Sequence, residues 1–227
     1  QKITDTISHI SDYASLIDMV QNRAFVAARY KYCKPTTDME SDTSFVECTG
    51  IRHPIIERIN TRETYVANDL SIGRDTSGML IYGTNAVGKT SLMRSLGIAV
   101  VMAQAGFYVP CTTFKYKPYT QIFTRIVGND NMFKGLSSFA VEMSEFRTIL
   151  LNADRSSLVL GDELCNGTES NSAASIFVTG MKHLHDRQCS FAFATHLHQI
   201  VDLPEVRALT DQRLRMMHLD VRHDPGT

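Results

Sequence analysis

The sequence has no excess of charge of either sign. Lys and Arg total 23, Asp and Glu total 24, and the net charge is −1. This balance excludes a strongly basic nucleic-acid-binding module as a description of the whole chain, although a local basic patch remains compatible with it. The longest apolar run, residues 96–103, is too short to cross a bilayer. The first residues also lack the basic and apolar regions of a signal peptide.

The cysteines form no C-x-x-C pair, and their number is odd. The five are Cys33, Cys48, Cys111, Cys165 and Cys189. Their scatter argues against a disulfide framework or a zinc site and favours reduced, mostly buried thiols. Hydrophobic residues make up 43% of the 227 residues, which is enough for one large domain with a sizeable core.

Glycine and proline are absent from the first segment, where apolar residues recur with helical spacing from Ile3 to about Tyr30. This helix either packs on its own domain or is the end of a longer helical arm, and a start at Gln1 rather than Met favours the second reading. Residues 35–44 are polar and acidic, so we expect a linker there. The predicted organisation is therefore an end of a lever or core region (1–34), a linker (35–44) and a main domain (45–227).

Strand-like and helix-like patterns alternate through the main domain. Strands are expected near 79–82, 119–127, 157–160 and 189–194, helices near 88–105, 138–153 and 172–186, and an antiparallel strand at 213–222. This alternation predicts an α/β fold with a mainly parallel central sheet and helices on both faces. Four arginines, Arg52, Arg58, Arg62 and Arg74, are expected to form a solvated face or, as the alternative, to contact the helical arm.

A phosphate-binding loop follows the first of these strands. The pattern G-x-x-x-x-G-K-[ST] is complete in Gly83, Thr84, Asn85, Ala86, Val87, Gly88, Lys89 and Thr90. Its backbone N–H groups and the start of the next helix suit phosphate oxygens. Lys89 is expected to reach the β- and γ-phosphates, and the Thr90 hydroxyl to bind Mg²⁺. A chance glycine-rich turn would not require the strand before it and the helix after it.

Two later strands also end in polar residues. Asp162 and Glu163 follow one apolar strand, and His196 follows another. In a P-loop ATPase, Asp162 would hold the Mg²⁺ and Glu163 would polarise the attacking water, whereas the alternative is a solvated acidic turn. His196 is expected beside the γ-phosphate, because ligands bind beyond the carboxyl ends of parallel strands. The competing interpretation is a surface histidine at a helix start.

Six ordered blocks resemble the ATPase domain of the MutS family of DNA mismatch-repair proteins. Beside the phosphate loop and its continuation to Pro110, the blocks are residues 51–57 (IRHPIIE), 65–68 (YVAN), 123–126 (FTRI), 137–145 (SSFAVEMSE), 162–168 (DELCNGT) and 193–196 (FATH). The resemblance implies an ABC-type P-loop NTPase fold. It also implies Mg²⁺-dependent hydrolysis of ATP to ADP and phosphate, with ATP held between two subunits.

The resemblance further assigns roles to single residues. Lys89, Glu163 and His196, the last as a switch beside the γ-phosphate, would be catalytic. Tyr65 would stack on adenine, Asn68 would lie near the base, and Ser91 would complete the nucleotide-binding loop. Ser137 would approach the γ-phosphate of the partner subunit in trans.

By the same resemblance, this chain would be the motor of a MutS-like repair protein without its DNA-reading domains and without the C-terminal helix-turn-helix. The implied partners are a second MutS-type subunit, in a homodimer, and DNA bound through domains outside this chain, with no membrane. An intracellular site is expected, whether nuclear, cytoplasmic, viral-factory or mitochondrial.

Several positions depart from the usual pattern of the family. Thr84 replaces a common Pro, Val87 a Gly, and Asn166 an Arg, while Glu169 and Asn171 also differ. These departures suggest a divergent branch, of viral or organellar type. Two other functions stay open at this point: another ABC-type DNA-maintenance ATPase, or a nucleotide-gated dimerisation module with negligible turnover.

Overall fold

The computed structural model describes residues 2–59, 65–84, 87–126, 138–165 and 169–219. Its helices are α1 (Lys2–Tyr30), α2 (Ile56–Ile59), α3 (Lys89–Gln104), α4 (Ser138–Asn152), α5 (Ser170–Asp186) and α6 (Pro204–Thr210), with a 3₁₀ helix at His198–Asp202. Its strands are β1 (Thr36–Thr37), β2 (Phe45–Ile51), β3 (Asn68–Ile72), β4 (Gly78–Tyr82), β5 (Thr113–Lys117), β6 (Gln121–Arg125), β7 (Ser157–Asp162), β8 (Ser190–Thr195) and β9 (Leu214–His218). None of the described helices is long and apolar enough to cross a membrane.

The central sheet has the order β6-β7-β8-β4-β9 across the described residues, and all its neighbours pair in parallel. The predicted α/β class with helices around a parallel sheet is thereby confirmed. The prediction of an antiparallel last strand was wrong, because β9 runs parallel to β4. The 3₁₀ helix and α6 return the chain to the start of the sheet after β8, and such a crossover gives the next strand the same direction.

A second, smaller sheet was not foreseen from the sequence. Its strand order is β1-β5-β2-β3, with β2 antiparallel to both β3 and β5. The short strand β1 lies within the predicted linker, and Asp38 just after it forms ion pairs with Arg74 and Lys115 at 2.7 and 2.9 Å. The domain limits at 34 and 44 remain predictions, but this part of the chain is attached to the smaller sheet.

The parallel sheet separates two apolar cores. Alternate side chains of each strand point to opposite faces, so on β4 Ile81 joins one core and Leu80 the other. The first core also contains the buried face of α3 and the smaller sheet, and the second contains apolar residues of α4, α5 and α6. Because both faces are covered, β7 and β8 are buried at every position, and their carboxyl ends are fixed at one edge of the sheet.

The end of α1 contacts the main domain through arginines. Arg52 donates hydrogen bonds to the carbonyls of Tyr30 and Lys31, both at 3.2 Å, and the Arg58 guanidinium lies 3.7 Å from the Tyr30 ring centroid. For these two arginines the alternative prediction, contact with the helical arm, is confirmed. Arg74 instead pairs with Asp38, and Arg62 lies outside the described residues.

Candidate nucleotide-binding site

The phosphate loop connects the end of β4 to the start of α3. Gly83 and Gly88 have φ angles of 151° and 96°, values that favour glycine. At Gly83 a Cβ atom would lie 2.5 Å from the Leu219 carbonyl oxygen, so the close approach of residue 219 also requires glycine. Asn85 and Ala86 lie outside the described residues.

The Lys89 ammonium group is folded back into this loop. Its Nζ donates hydrogen bonds to the carbonyls of Gly83, at 2.8 Å, and Thr84, at 2.7 Å, and the residue is only 5% exposed. In the described part of the chain, no side chain caps the first turn of α3. The loop therefore combines a buried cation with uncapped helix N–H groups, an arrangement that suits an anion such as phosphate.

Thr90 and Asp162 meet next to this loop. The Thr90 hydroxyl donates a hydrogen bond of 2.5 Å to Oδ2 of Asp162, and Asp162 is 5% exposed. Its other oxygen, Oδ1, is buried and has no hydrogen-bond partner among the described residues. Burial raises the pKa of Asp162, although Thr90, Arg94 and Lys89 act in the opposite direction.

These two side chains fit Mg²⁺. The ion takes oxygen ligands and is commonly held by one or two protein groups together with substrate phosphates. A buried carboxylate oxygen without a partner offers it such a ligand, and the Thr90 hydroxyl offers a second. No cluster of three or more His, Cys, Asp or Glu that could hold a metal occurs in the described ranges, and a magnesium–nucleotide site does not require one.

Glu163 and His196 lie side by side at the carboxyl ends of β7 and β8. The strands pair in register at Asp162 and Ala194, so the residue after each strand end reaches the same place. His196 Nδ1 lies 3.8 Å from Glu163 Oε1, and both side chains are partly exposed. The sheet therefore brings together two of the predicted catalytic residues on the side where ligands bind to parallel sheets.

Tyr65 lies against the first turns of α3. Its hydroxyl is 3.2 Å from the Oγ atoms of both Ser91 and Ser95. Asn68 opens β3, and its side-chain amide donates to the Val66 carbonyl at 3.0 Å. The structure thus holds Tyr65 beside the phosphate loop, while contact with adenine remains a prediction.

Ser137 lies outside the described residues, so its predicted role in trans is a proposal only.

Glu142 belongs to the same sequence block, residues 137–145, and no role was predicted for it. Its carboxylate is buried and accepts a hydrogen bond of 2.7 Å from the backbone N–H of Cys165, two residues after Glu163. The available signal was its spacing: Glu142 lies three residues after Phe139 and four before Phe146, on the apolar face of α4.

Comparison with known proteins identifies one family. The sequence-family model of MutS domain V matches residues 79–227, which is more than half of the chain. A mutS homologue of Acanthamoeba polyphaga mimivirus is 36% identical over 96% of the chain and 22% of its own length. The mitochondrial DNA mismatch repair protein mutS homologue of Sarcophyton glaucum is 38% identical over 91% of the chain and 21% of its own length.

A bacterial relative is also similar. The DNA mismatch repair protein MutS of Lactobacillus gasseri is 32% identical over 100% of this chain and 26% of its own length. The chain therefore spans about a fifth to a quarter of the relatives that it matches.

Proposed function

The chain belongs to the MutS family, and we propose that it is the part of a MutS-like DNA repair protein that binds and hydrolyses ATP. The observation that carries this proposal is the convergence of Lys89, Thr90, Asp162, Glu163 and His196 at one edge of the parallel sheet. Lys89 binds the β- and γ-phosphates and neutralises charge that develops during transfer. Tyr65 and Asn68 bind the base side of the nucleotide, and the phosphate-loop residues 83–91 bind the phosphates.

Thr90 and Asp162 would hold Mg²⁺, which when bound neutralises charge on the phosphate oxygens. Glu163 orients the water that attacks the γ-phosphorus and accepts the proton that this water releases. The bond from phosphorus to the β–γ bridging oxygen breaks, and the products are ADP and phosphate. His196, whose Nδ1 lies 3.8 Å from Glu163 Oε1, would be the switch beside the γ-phosphate.

We further propose that ATP is enclosed between two MutS-type subunits, with Ser137 of one subunit approaching the γ-phosphate bound by the other. Mismatched DNA would be bound by other parts of the full-length protein and would be coupled to the nucleotide state. The names of the relatives, which are DNA mismatch repair proteins, support the part of this proposal that concerns mismatched DNA, and this chain covers only a part of each relative. The competing function is a nucleotide-gated dimerisation module, and Glu163 favours hydrolysis because binding alone does not require a carboxylate beside the γ-phosphate.

The test is the rate of ATP hydrolysis as a function of protein concentration, with Mg²⁺ present. A rate per molecule that rises with concentration supports a site shared by two chains. A constant rate means either a preformed tight dimer or a site complete in one chain, and in the second case Ser137 has no role in trans. Glu163→Gln should lower the rate at least about 100-fold while ATP binding persists, because the side chain can no longer act as a base. Glu205→Gln, on the exposed surface of α6, is the matched control. An unchanged rate in Glu163→Gln would refute the role given to Glu163.

A further inference from the structure

The buried carboxylate of Glu142 joins α4 to the turn that follows β7. Glu142 is 8% exposed, and its Oε1 accepts the Cys165 N–H at 2.7 Å. A carboxylate is costly to bury, and a short hydrogen bond from a backbone N–H is one of the stronger ways to compensate that cost. A glutamate on the apolar face of a helix therefore requires an explanation beyond packing.

The turn that Glu142 contacts is unusual in its backbone. Glu163 and Cys165 both have left-handed φ angles, 50° and 69°, although neither is glycine. Such residues are strained and persist only where the surroundings hold them. The Glu163 N–H donates a hydrogen bond to the Ala194 carbonyl at 2.9 Å, and this bond holds Glu163 in place. The Glu142 carboxylate accepts the hydrogen bond of the Cys165 N–H and holds Cys165 in place.

The helix that carries Glu142 is itself firmly seated. Phe146, one turn later, is 3% exposed, and its ring centroid lies 6.4 Å from that of Phe193 on β8. On α5, Gly180 leaves the space that this ring fills, because a Cβ there would lie 2.2 Å from Cζ of Phe146. The carboxylate is thus presented by a packed helix, and the turn after β7 takes its position from α4.

We propose that Glu142 is a positioning residue for Glu163. Through the Cys165 amide it fixes the left-handed turn that directs the Glu163 carboxylate, and it thereby couples the placement of α4 to that carboxylate. This inference rests on the proposed function for the role of Glu163. Helix α4 begins at Ser138, directly after the segment that is expected to meet the partner subunit. A shift of α4 would therefore change the position of the Glu163 carboxylate, which acts on the nucleotide bound by the same chain.

The first measurement is independent of hydrolysis. Amide hydrogen exchange at residues 163–165 is followed by NMR in the nucleotide-free chain. Glu142→Ala should speed exchange of the Cys165 amide at least about tenfold, because a hydrogen bond to a charged group is lost. Glu142→Gln retains an acceptor oxygen and should restore most of the protection. Glu145→Ala, which removes a more exposed carboxylate from the same helix, should leave this amide unchanged.

The second measurement separates positioning from folding. Glu142→Ala should lower kcat by about 100-fold, since a small misplacement of a catalytic group has an effect of this size, while the Kd for ATP stays within about twofold. Glu142→Gln should recover most of kcat. Faster exchange with an unchanged kcat would overturn the proposal, and so would unchanged exchange in a folded Glu142→Ala protein.

Two further results are decisive. If Glu142→Ala does not fold, Glu142→Asp replaces it, because that side chain keeps the charge but is one methylene too short; normal Cys165 exchange in Glu142→Asp would contradict the proposal. If the unaltered chain binds ATP but does not hydrolyse it, the proposed function fails. The exchange measurement then decides separately whether Glu142 holds the turn.

Discussion

The Thr90 hydroxyl donates a hydrogen bond of 2.5 Å to the Asp162 carboxylate and so connects the first turn of α3 to the end of β7. This contact leaves Asp162 Oδ1 buried and without a partner among the described residues. The two residues that would hold Mg²⁺ therefore lie side by side, and one carboxylate oxygen of Asp162 could serve as a ligand of the ion.

Asp162→Asn should weaken Mg²⁺ binding in the presence of nucleotide. An amide has nearly the same shape but lacks the negative charge that a hard cation prefers. The Mg²⁺ concentration that half-saturates nucleotide binding should rise at least about tenfold, a change that corresponds to roughly 1.4 kcal/mol. Titration of a fluorescent ATP analogue measures it. An unchanged Mg²⁺ requirement would remove Asp162 from the ion's ligands.

The same substitution should stabilise the metal-free chain at neutral pH. Burial raises the pKa of Asp162, so the folded state holds this proton more tightly than the unfolded chain does. Ionisation of this buried carboxylate therefore lowers the free energy of unfolding. The loss grows as the pH rises from the pKa of Asp162 in the unfolded chain to its pKa in the folded chain, and it is complete above the folded pKa. Tm of Asp162→Asn should exceed that of the unaltered chain at pH 7, and the difference should shrink on acidification towards pH of about 4. A Tm difference that is independent of pH would contradict this.

Lys89→Ala should abolish the preference for ATP over adenosine. The ammonium group is the buried cation of the loop, where it is held by the carbonyls of Gly83 and Thr84. Loss of one charged contact to phosphate in a desolvated site should weaken ATP binding by about 100-fold or more. Equilibrium binding of ATP and adenosine to both proteins provides the comparison. Retained selectivity for ATP would show that the phosphates lie elsewhere.

Substitutions of Tyr65 should separate its ring from its hydroxyl. If the ring stacks on adenine, Tyr65→Ala should raise the Kd for ATP about tenfold, since stacking on a base contributes roughly 1–3 kcal/mol. Tyr65→Phe keeps the ring and loses only the contacts with Ser91 and Ser95, so its Kd should change about twofold at most. Equal losses in the two variants would assign the effect to the hydroxyl and refute stacking.

The sequence was sufficient to predict the parallel sheet and the edge at which the polar residues after its strands meet. Strands such as β7 and β8 are continuous apolar runs, and polar residues follow them directly. The direction of β9 was not readable, because an edge strand with mixed residues takes its direction from the connection before it. The smaller sheet was missed because β2 pairs with β5, more than sixty residues later, and no local pattern encodes that register.

Some residues of the site could likewise be predicted from the sequence, and one could not. The phosphate-loop pattern and the acidic strand end predicted which residues would meet, since each lies at a fixed place relative to a strand. Glu142 was visible as part of a block but had no assigned role. Its partner is a backbone N–H in another part of the chain, and such a partner has no side-chain signature.

The contact between α4 and α5 yields a prediction about stability. Gly180 lies against Phe146, and an added methyl group would come within 2.2 Å of that ring. Because the core around Phe146 and Phe193 is closely packed, Gly180→Ala should destabilise the chain by about 1–3 kcal/mol, as overpacking does elsewhere. This loss should exceed the gain in helix propensity, roughly 1 kcal/mol, that the same change brings in an open helix.

Urea unfolding measures the difference, with Thr179→Ala on the exposed face of α5 as the control, expected to stay within about 0.5 kcal/mol. A Gly180→Ala chain as stable as the parent would mean that the Phe146 ring can move aside. α4 would then be free to shift on the sheet, and the link from α4 through Glu142 to Glu163 would lose its rigid support.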